Sequence, residues 1–385
     1  NGKQLFLASV GHSNPSLVDV MNLCHVAPRT PQEVANYSYL RGLTLNTENN
    51  NRYTGKYEDL HPLIRQYEEF KRDSSGDVPD VPFTCLTNLP LSQKQWAEKT
   101  LAFPWNTLRM NLNNVARKGV FNENIAKQVA DKLRDKELVR KFNAFPFELM
   151  QAVNYTTADV PNSVKVALQD ALETSLLNVP EYSGHTVVAI DTSGSMHGPV
   201  STNNSKASVS CLQVAALFAS AIIAKNHDSR VLWFNSPDRG WYGYNTGNKT
   251  GVGELHLNPR DSLVTNSQKV MSAPSGGTDC SLPLMYANQK QWKADNFIYL
   301  SDNCSWAGVQ LGTATEWDKF HRLNKSAKLV LMDLQPNTHT QVKDSPYVLN
   351  VGGFNDSVFS VVANFLNRGN SDGHFVDFVD KAVEL

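Results

Sequence analysis

The feature that most constrains the fold is an alternation of short apolar segments with amphipathic segments in the second half of the chain. Five apolar segments have the length and the β-branched or aromatic composition of buried strands: 185–190, 231–234, 296–300, 327–334 and 347–351. Helical segments begin between or after them at residues 209, 283, 315 and 356. This order predicts a doubly wound α/β sheet, in which ligands bind at the carboxyl ends of the strands.

The first half of the chain has helical periodicity instead. In segment 160–179, the apolar residues Val164, Leu168 and Leu172 share one face of a helix. Polar stretches at 46–55 and 72–82 indicate loops. We therefore predict an α + α/β chain with a helical region of α-solenoid type at 1–182 and an α/β domain at 183–385.

Composition and charge exclude several classes of protein. The 385 residues carry 41% apolar and 19% charged residues with a net charge of −1, so nucleic-acid binding requires a local basic patch. The five cysteines are scattered without a CxxC pair, which argues against a zinc site and for reduced thiols. No apolar run reaches the length of a bilayer span and no signal peptide is recognisable, so we expect a cytoplasmic protein without a membrane partner. Because the sequence begins at Asn1 rather than Met, we expect a further N-terminal segment to be missing from it.

Oxygen-bearing side chains follow three of the predicted strands and loops. Asp191, Ser193 and Ser195 come directly after the first strand, Thr278 lies in a glycine-rich loop before a helix, and Asp302 follows a later strand. Two carboxylates and three hydroxyls suit Mg²⁺ or another divalent cation, with one coordination position left for a partner. The sequence therefore predicts a metal site formed by these five residues.

Other interpretations of the same residues remain open. An isolated DxSxS motif is often only a solvated turn, and Asp279 is better explained as a cap of the following helix. A hydrolase using Ser193 or Ser195 would need a histidine base, and the nearby His197 has no orienting acid in the sequence. We therefore predict no enzymatic activity, and His197 is interpreted as a loop residue.

The motifs carry a resemblance to a known family. The DTSGS segment and its companion residues resemble the metal-ion-dependent adhesion site of von Willebrand factor A-type domains. Segments 187–196, 275–308, 327–334 and 351–367 look like the A-domain of the Ro autoantigen family. Segments 17–31 and 105–121 are similar to the helical repeats of the TROVE module in that family.

The resemblance implies a HEAT-like helical ring closed by the A-domain. For that family it also implies binding of small structured Y RNAs on the outer face and of single-stranded ends of misfolded RNAs in the central hole. Family members carry more helical repeat before the region with which this sequence begins.

The predicted RNA-facing surface lies between residues 109 and 141, a window that contains nine basic and four acidic residues. Within it we select Arg109, Arg117 and Lys118 together with Asn113, because cations and amides bind phosphates and bases. By the resemblance these residues would face the hole of the ring. For Arg109, helix capping or a structural ion pair is an equally good interpretation, and residues 131–137 look more like a solvated helix face. The aromatic residues of this region, including Trp105 and Phe145, are expected to be core rather than base-stacking residues.

Two functions from different classes follow from this sequence. The first is a non-catalytic RNA-binding protein whose metal is structural or regulatory. The second is a metal-dependent assembly module, in which the metal binds an acidic side chain of a partner protein and the helices form a scaffold.

Overall fold

The computed structural model describes residues 6, 16–46, 48–49, 52–200, 209–236, 251–302, 312–336, 340–354 and 357–367. The chain forms two compact units. The first consists of Asn1–Pro104 with Asn111–Ile125, and the second of Trp105–Met110 with Ala126–Leu385.

The first unit is mainly helical. Its elements are α1 (Leu17–Leu23), α2 (Pro31–Leu40), the short hairpin β1 (Glu48–Asn49) and β2 (Arg52–Tyr53), α3 (Pro62–Asp73), α4 (Phe83–Leu86) and α5 (Gln93–Ala102). Ser16, Thr30 and Ser92 cap α1, α2 and α5 by accepting hydrogen bonds from backbone amides. Buried apolar residues between α2, α3 and α4 form its core: Ala35, Leu60, Ile64, Val81 and Leu86. The predicted polar loop at 46–55 thus contains the hairpin.

Five further helices follow: α6 (Trp105–Arg117), α7 (Glu123–Leu133), α8 (Lys136–Lys141), α9 (Pro146–Tyr155) and α10 (Asn162–Thr174). The charged segment 123–142 forms two helices, α7 and α8. Asp135 separates them because its carboxylate accepts hydrogen bonds from the backbone amides of Glu137 and Leu138 and so caps a new helix.

The remainder of the chain forms a six-stranded sheet with flanking helices. The strands are β3 (Thr186–Asp191), β4 (Ser229–Phe234), β5 (Val252–Leu255), β6 (Asn296–Ser301), β7 (Lys328–Asp333) and β8 (Val348–Gly352). The helices are α11 (Cys211–Lys225), α12 (Leu263–Met271), α13 (Leu282–Gln289), α14 (Gly312–Leu323) and α15 (Ser357–Leu366). The strand order is β5-β4-β3-β6-β7-β8, and only β5 is antiparallel to its neighbour. The predicted fold class, a helical region followed by a doubly wound α/β domain, is confirmed.

Strand β5 is absent from the sequence-based prediction. It is a short edge strand of sequence VGEL, and its inner positions are only partly buried. Because an edge strand does not need the continuous apolar run of a central parallel strand, its sequence gives little signal.

The change from helices to alternating strands and helices occurs near residue 183, as predicted. The boundaries between the two compact units lie elsewhere. Helices α9 and α10 belong to the same unit as the sheet. The ring of Phe145, just before α9, stacks at 5.7 Å on Phe359 of α15, and the Glu173 carboxylate of α10 accepts a hydrogen bond from the backbone amide of Leu263. Burial raises the pKa of Glu173. Helices α9 and α10 therefore contribute to the core of the second unit. No helix within the described ranges has the length and apolar character of a membrane span.

Candidate functional site

Four of the predicted metal residues, Asp191, Ser193, Ser195 and Asp302, lie at or just after the carboxyl ends of β3 and β6. β3 and β6 are parallel neighbours with Ile190 opposite Leu300, so Asp191 ends one strand beside Ser301 at the end of the other. The Ser301 hydroxyl donates to Asp191 Oδ2 at 2.7 Å, and the backbone amide of Ser193 donates to Oδ1 at 2.8 Å. These two hydrogen bonds fix the orientation of the Asp191 carboxylate.

The loop that carries Thr278 is bound to the loop after β3. The amide of Gly194 donates to the carbonyl of Gly276 at 2.9 Å, and the Thr192 hydroxyl donates to the carbonyl of Pro274 at 2.7 Å. A glycine is required at 276, because a Cβ there would lie 2.9 Å from the carbonyl oxygen of Ser236. The glycine therefore allows the loop that carries Thr278 to pack closely against the loop after β4.

The five predicted ligands differ in their exposure. Asp191, Ser193, Thr278 and Asp302 are at most 1% exposed, whereas Ser195 is exposed. The hydroxyl oxygens of Ser193 and Ser195 lie 3.1 Å apart. The arrangement is thus a buried group of oxygen atoms with one hydroxyl at its solvent-facing side.

The electrostatics of the site suit a cation. Burial raises the pKa of Asp191 to about 7, and the negative charge of Asp302 contributes in the same direction, against the hydrogen bonds from Ser193 and Ser301. A bound divalent ion would compensate two buried carboxylates that otherwise repel each other. No group of three or more His, Cys, Asp or Glu residues that suits a metal occurs in the described part of the chain, so hydroxyls would have to complete the ligand set.

The neighbouring residues have other roles. The Asp279 carboxylate lies at the start of α13 as predicted, but the N-cap of that helix is Ser281, whose backbone amide and hydroxyl donate to the carboxylate. His197 is exposed at the end of the short 3₁₀ helix Gly194–His197. Ser301 is the residue that sequence reasoning missed. Its only signal is its place at the end of a strand, directly before Asp302.

Comparison with known proteins identifies the family of the α/β domain. Residues 185–366 match the family described as the Ro60 vWA domain. The chain is 27% identical over 289 residues to "RNA-binding protein RO60" of Deinococcus radiodurans, which covers 70% of this chain and 50% of the relative. A protein of the same name from Caenorhabditis elegans is 22% identical over 336 residues, or 79% of this chain and 48% of the relative. Residues 185–366 therefore belong to the Ro60 vWA domain family, and the chain as a whole is similar to Ro proteins.

The fold agrees with this assignment. The crystal structure of the Deinococcus radiodurans RO (RSR) protein superposes with a TM-score of 0.67 at 19% identity, covering 95% of this chain and 74% of that one. The Ro-like chain spans about half the length of the curated relatives it matches.

The predicted RNA-facing residues of the Ro-like chain have different environments. Arg109 has a side chain only 9% exposed, and its guanidinium binds the Glu148 carboxylate at 2.7 Å and the Glu148 carbonyl at 2.9 Å. These contacts support the interpretation of Arg109 as part of a structural ion pair. Arg117 and Lys118, at the end of α6, are exposed, and Asn113 is half-buried.

The aromatic residues of this region are core residues, as expected. Trp105 is 1% exposed, and its indole N–H donates to the carbonyl of Leu133 at 3.1 Å. Phe145 is 4% exposed. Neither ring is available for stacking on a base in this arrangement.

We expect Arg109→Met to lower the free energy of unfolding by about 1–3 kcal/mol, because it removes two hydrogen bonds from a charged group and leaves Glu148 without its partner. The matched variant Arg117→Met removes an exposed charge and should cost less than about 0.5 kcal/mol. Chemical denaturation of both variants tests this. Equal stability of the two would show that the Arg109–Glu148 pair contributes nothing.

Proposed function

We propose that this chain is a non-catalytic RNA-binding protein that binds small structured RNA of the Y RNA kind, the ends of misfolded RNA, or both. The observation that carries the proposal is that two curated relatives, matched over 70% and 79% of this chain, are named RNA-binding proteins. The near-neutral net charge of −1 requires that the contact be local.

The exposed end of α6 supports a position for that contact. Arg117 and Lys118 are consecutive exposed cations, and the Lys118 ammonium lies 5.2 Å from the centre of the Trp96 ring. This cation–π contact restricts the lysine side chain while its charge still faces solvent. Arg109 is left out of the proposed surface because Glu148 binds its guanidinium.

Binding of a labelled small structured RNA with a single-stranded 3′ tail tests this proposal over a range of salt concentrations. We expect Arg117→Gln/Lys118→Gln to weaken binding and to reduce the slope of log affinity against log salt by about 1.5, because two phosphate contacts are lost. The control Arg29→Gln/Lys56→Gln removes the same charge from exposed positions outside the proposed surface. Binding no stronger than that of a neutral protein would contradict the proposed function.

We also propose that Asp191, Ser193, Ser195, Thr278 and Asp302 hold a divalent cation, Mg²⁺ in the first instance. When bound, the ion would neutralise the buried carboxylates and attract an anion to its remaining coordination position. The exposure of Ser195 favours an alternative function without RNA, in which an acidic side chain of a partner protein reaches that position. Association that requires the metal, and that persists after removal of RNA, is the result expected for this alternative function.

A further inference from the structure

A basic and aromatic surface lies at the edge of the sheet opposite the candidate metal site. α13 and α14 both end there, and β4 begins there. The side-chain amide of Asn324, just after α14, donates to the carbonyl of Trp292, just after α13, at 3.3 Å, and so joins the two helix ends. We call this surface the basal patch and define it by five exposed cations and one ring: Arg230, Lys290, Lys293, Arg322, Lys325 and Trp292.

Charge is concentrated in the basal patch. Segments 286–295 and 321–328 contain a single acid, Asp295, whose carboxylate accepts a hydrogen bond from the backbone amide of His185 at 2.8 Å. Two more acids lie at the margin: Glu254 accepts from the hydroxyl of Tyr286, and Asp228 lies 3.7 Å from the ring of His185. Asp318 lies one turn before Arg322 on α14, so five cations face four acids in a chain whose net charge is −1.

Part of this charge has a structural explanation. Cations stabilise the carboxyl ends of helices, the Lys293 ammonium donates to the carbonyl of Leu323 at 3.0 Å, and the Lys290 ammonium lies 5.6 Å from the Tyr286 ring. Arg322 and Lys325 differ from these, because within the described residues neither side chain forms an ion pair or a hydrogen bond. Lys319, one turn earlier in α14, binds Glu316 at 2.6 Å. The two unpaired cations are available to an external anion.

The orientation of Arg230 adds a second kind of recognition. Its guanidinium lies 4.6 Å from the centre of the Trp292 ring, which is itself packed edge to face against Tyr286 at 5.5 Å. Gln291, before Trp292, has a φ of 53°, a left-handed conformation that a glutamine rarely adopts. The indole thus holds one face of a planar, charged group, and Arg230 as a whole is exposed.

We propose that the basal patch is a second RNA contact, in which a base of a single-stranded segment stacks on the Arg230 guanidinium and its phosphates bind Arg322 and Lys325. The inference rests on the proposed RNA-binding function. It adds a contact on the A-domain to the contact proposed at the end of α6. A planar guanidinium supported by an indole is suited to a flat base, and neighbouring flexible cations are suited to phosphates. An acidic peptide would use the cations without needing the planar group.

The test measures the affinity of the full chain for a labelled oligouridylate of twelve nucleotides. We expect Arg322→Gln/Lys325→Gln to weaken binding about fivefold or more at 0.1 M salt and to reduce the salt slope by about 1.4, since each single-strand phosphate contact contributes about 0.7. Arg230→Lys keeps the charge but removes the planar group, and should weaken oligouridylate binding about fivefold while leaving heparin binding unchanged. The charge-matched control is again Arg29→Gln/Lys56→Gln.

The outcomes separate this inference from the proposed function. If the basal-patch variants bind like the control while Arg117→Gln/Lys118→Gln loses affinity, the basal patch is not an RNA contact and the proposed function stands. If heparin competes fully and Arg230→Lys has no effect, the patch is a general polyanion surface and the inference is wrong. If the wild-type chain binds neither the oligouridylate nor the structured RNA, the proposed function fails as well.

Discussion

Mg²⁺ is expected to raise the unfolding temperature of the wild-type chain by about 5–10 °C at a hundredfold excess over its dissociation constant, and to leave that of Asp191→Asn unchanged. Such an excess of a ligand bound only by the folded state adds about 2.7 kcal/mol, and each kcal/mol raises the midpoint of a domain of this size by about 2–4 °C. The asparagine oxygen can still accept from the Ser193 amide and its NH2 group can donate to the Ser301 hydroxyl, but the negative charge is lost. Differential scanning fluorimetry with Mg²⁺ or EDTA measures the effect.

Without metal, the same substitution should stabilise the chain at neutral pH. The pKa of Asp191 is raised from 3.8 to about 7 by burial, so the folded state binds the proton more tightly than the unfolded state. The wild type therefore loses stability relative to Asp191→Asn as pH rises from about 4 to 7, by an amount on the order of 4 kcal/mol.

Asp279→Asn is the matched control for the Mg²⁺ experiment, because its carboxylate accepts hydrogen bonds from Ser281. Equal stabilisation of all three proteins by Mg²⁺ would place the metal elsewhere.

The second large effect is expected for Phe359→Ala. Phe359 is 1% exposed, and its ring stacks on Phe218 of α11 at 4.2 Å and on Phe145 at 5.7 Å. Removing a buried phenylalanine typically costs about 3–5 kcal/mol, because apolar contacts are lost and a cavity remains. We expect the unfolding temperature to fall by about 10 °C.

Val361→Ala is the control for this prediction, since Val361 lies on the same helix and is 38% exposed. It should change the free energy of unfolding by less than about 0.5 kcal/mol. Phe359→Ala is also expected to expose Phe145 and the start of α9 to a protease, because the ring joins these residues to the core of the second unit. Unchanged stability and unchanged cleavage would show that these helices are held by other contacts.

The α/β architecture could be predicted because buried parallel strands need continuous apolar runs. The start of β3 lies one residue from its predicted position, and Asp191 follows from the rule that ligands bind where such strands end. The candidate ligand set follows from the same rule and stays a prediction: strand order brings the loops after β3 and β6 to one edge of the sheet. Strand β5 could not be predicted, because an exposed edge strand has no continuous apolar run.

The role of Arg109 could not be settled from the sequence, which left an RNA contact and an ion pair equally open. The choice depends on Glu148, which lies 39 residues further along the chain. The basal patch likewise combines residues of β4, α13 and α14, and no single segment of the sequence displays it. Phe145 joins the core of the sheet-containing unit although it precedes residue 183, where the sequence changes character.

The sequence by itself determined the helical and α/β halves and the positions of the central strands. These depend on local periodicity, which a single segment records, whereas the metal site remains a prediction that combines three segments. Only the tertiary structure decided which cations are paired, which helices complete the core and which surface gathers charge. Those properties arise from contacts between segments far apart in the chain, where burial and neighbouring charges fix what each side chain can do.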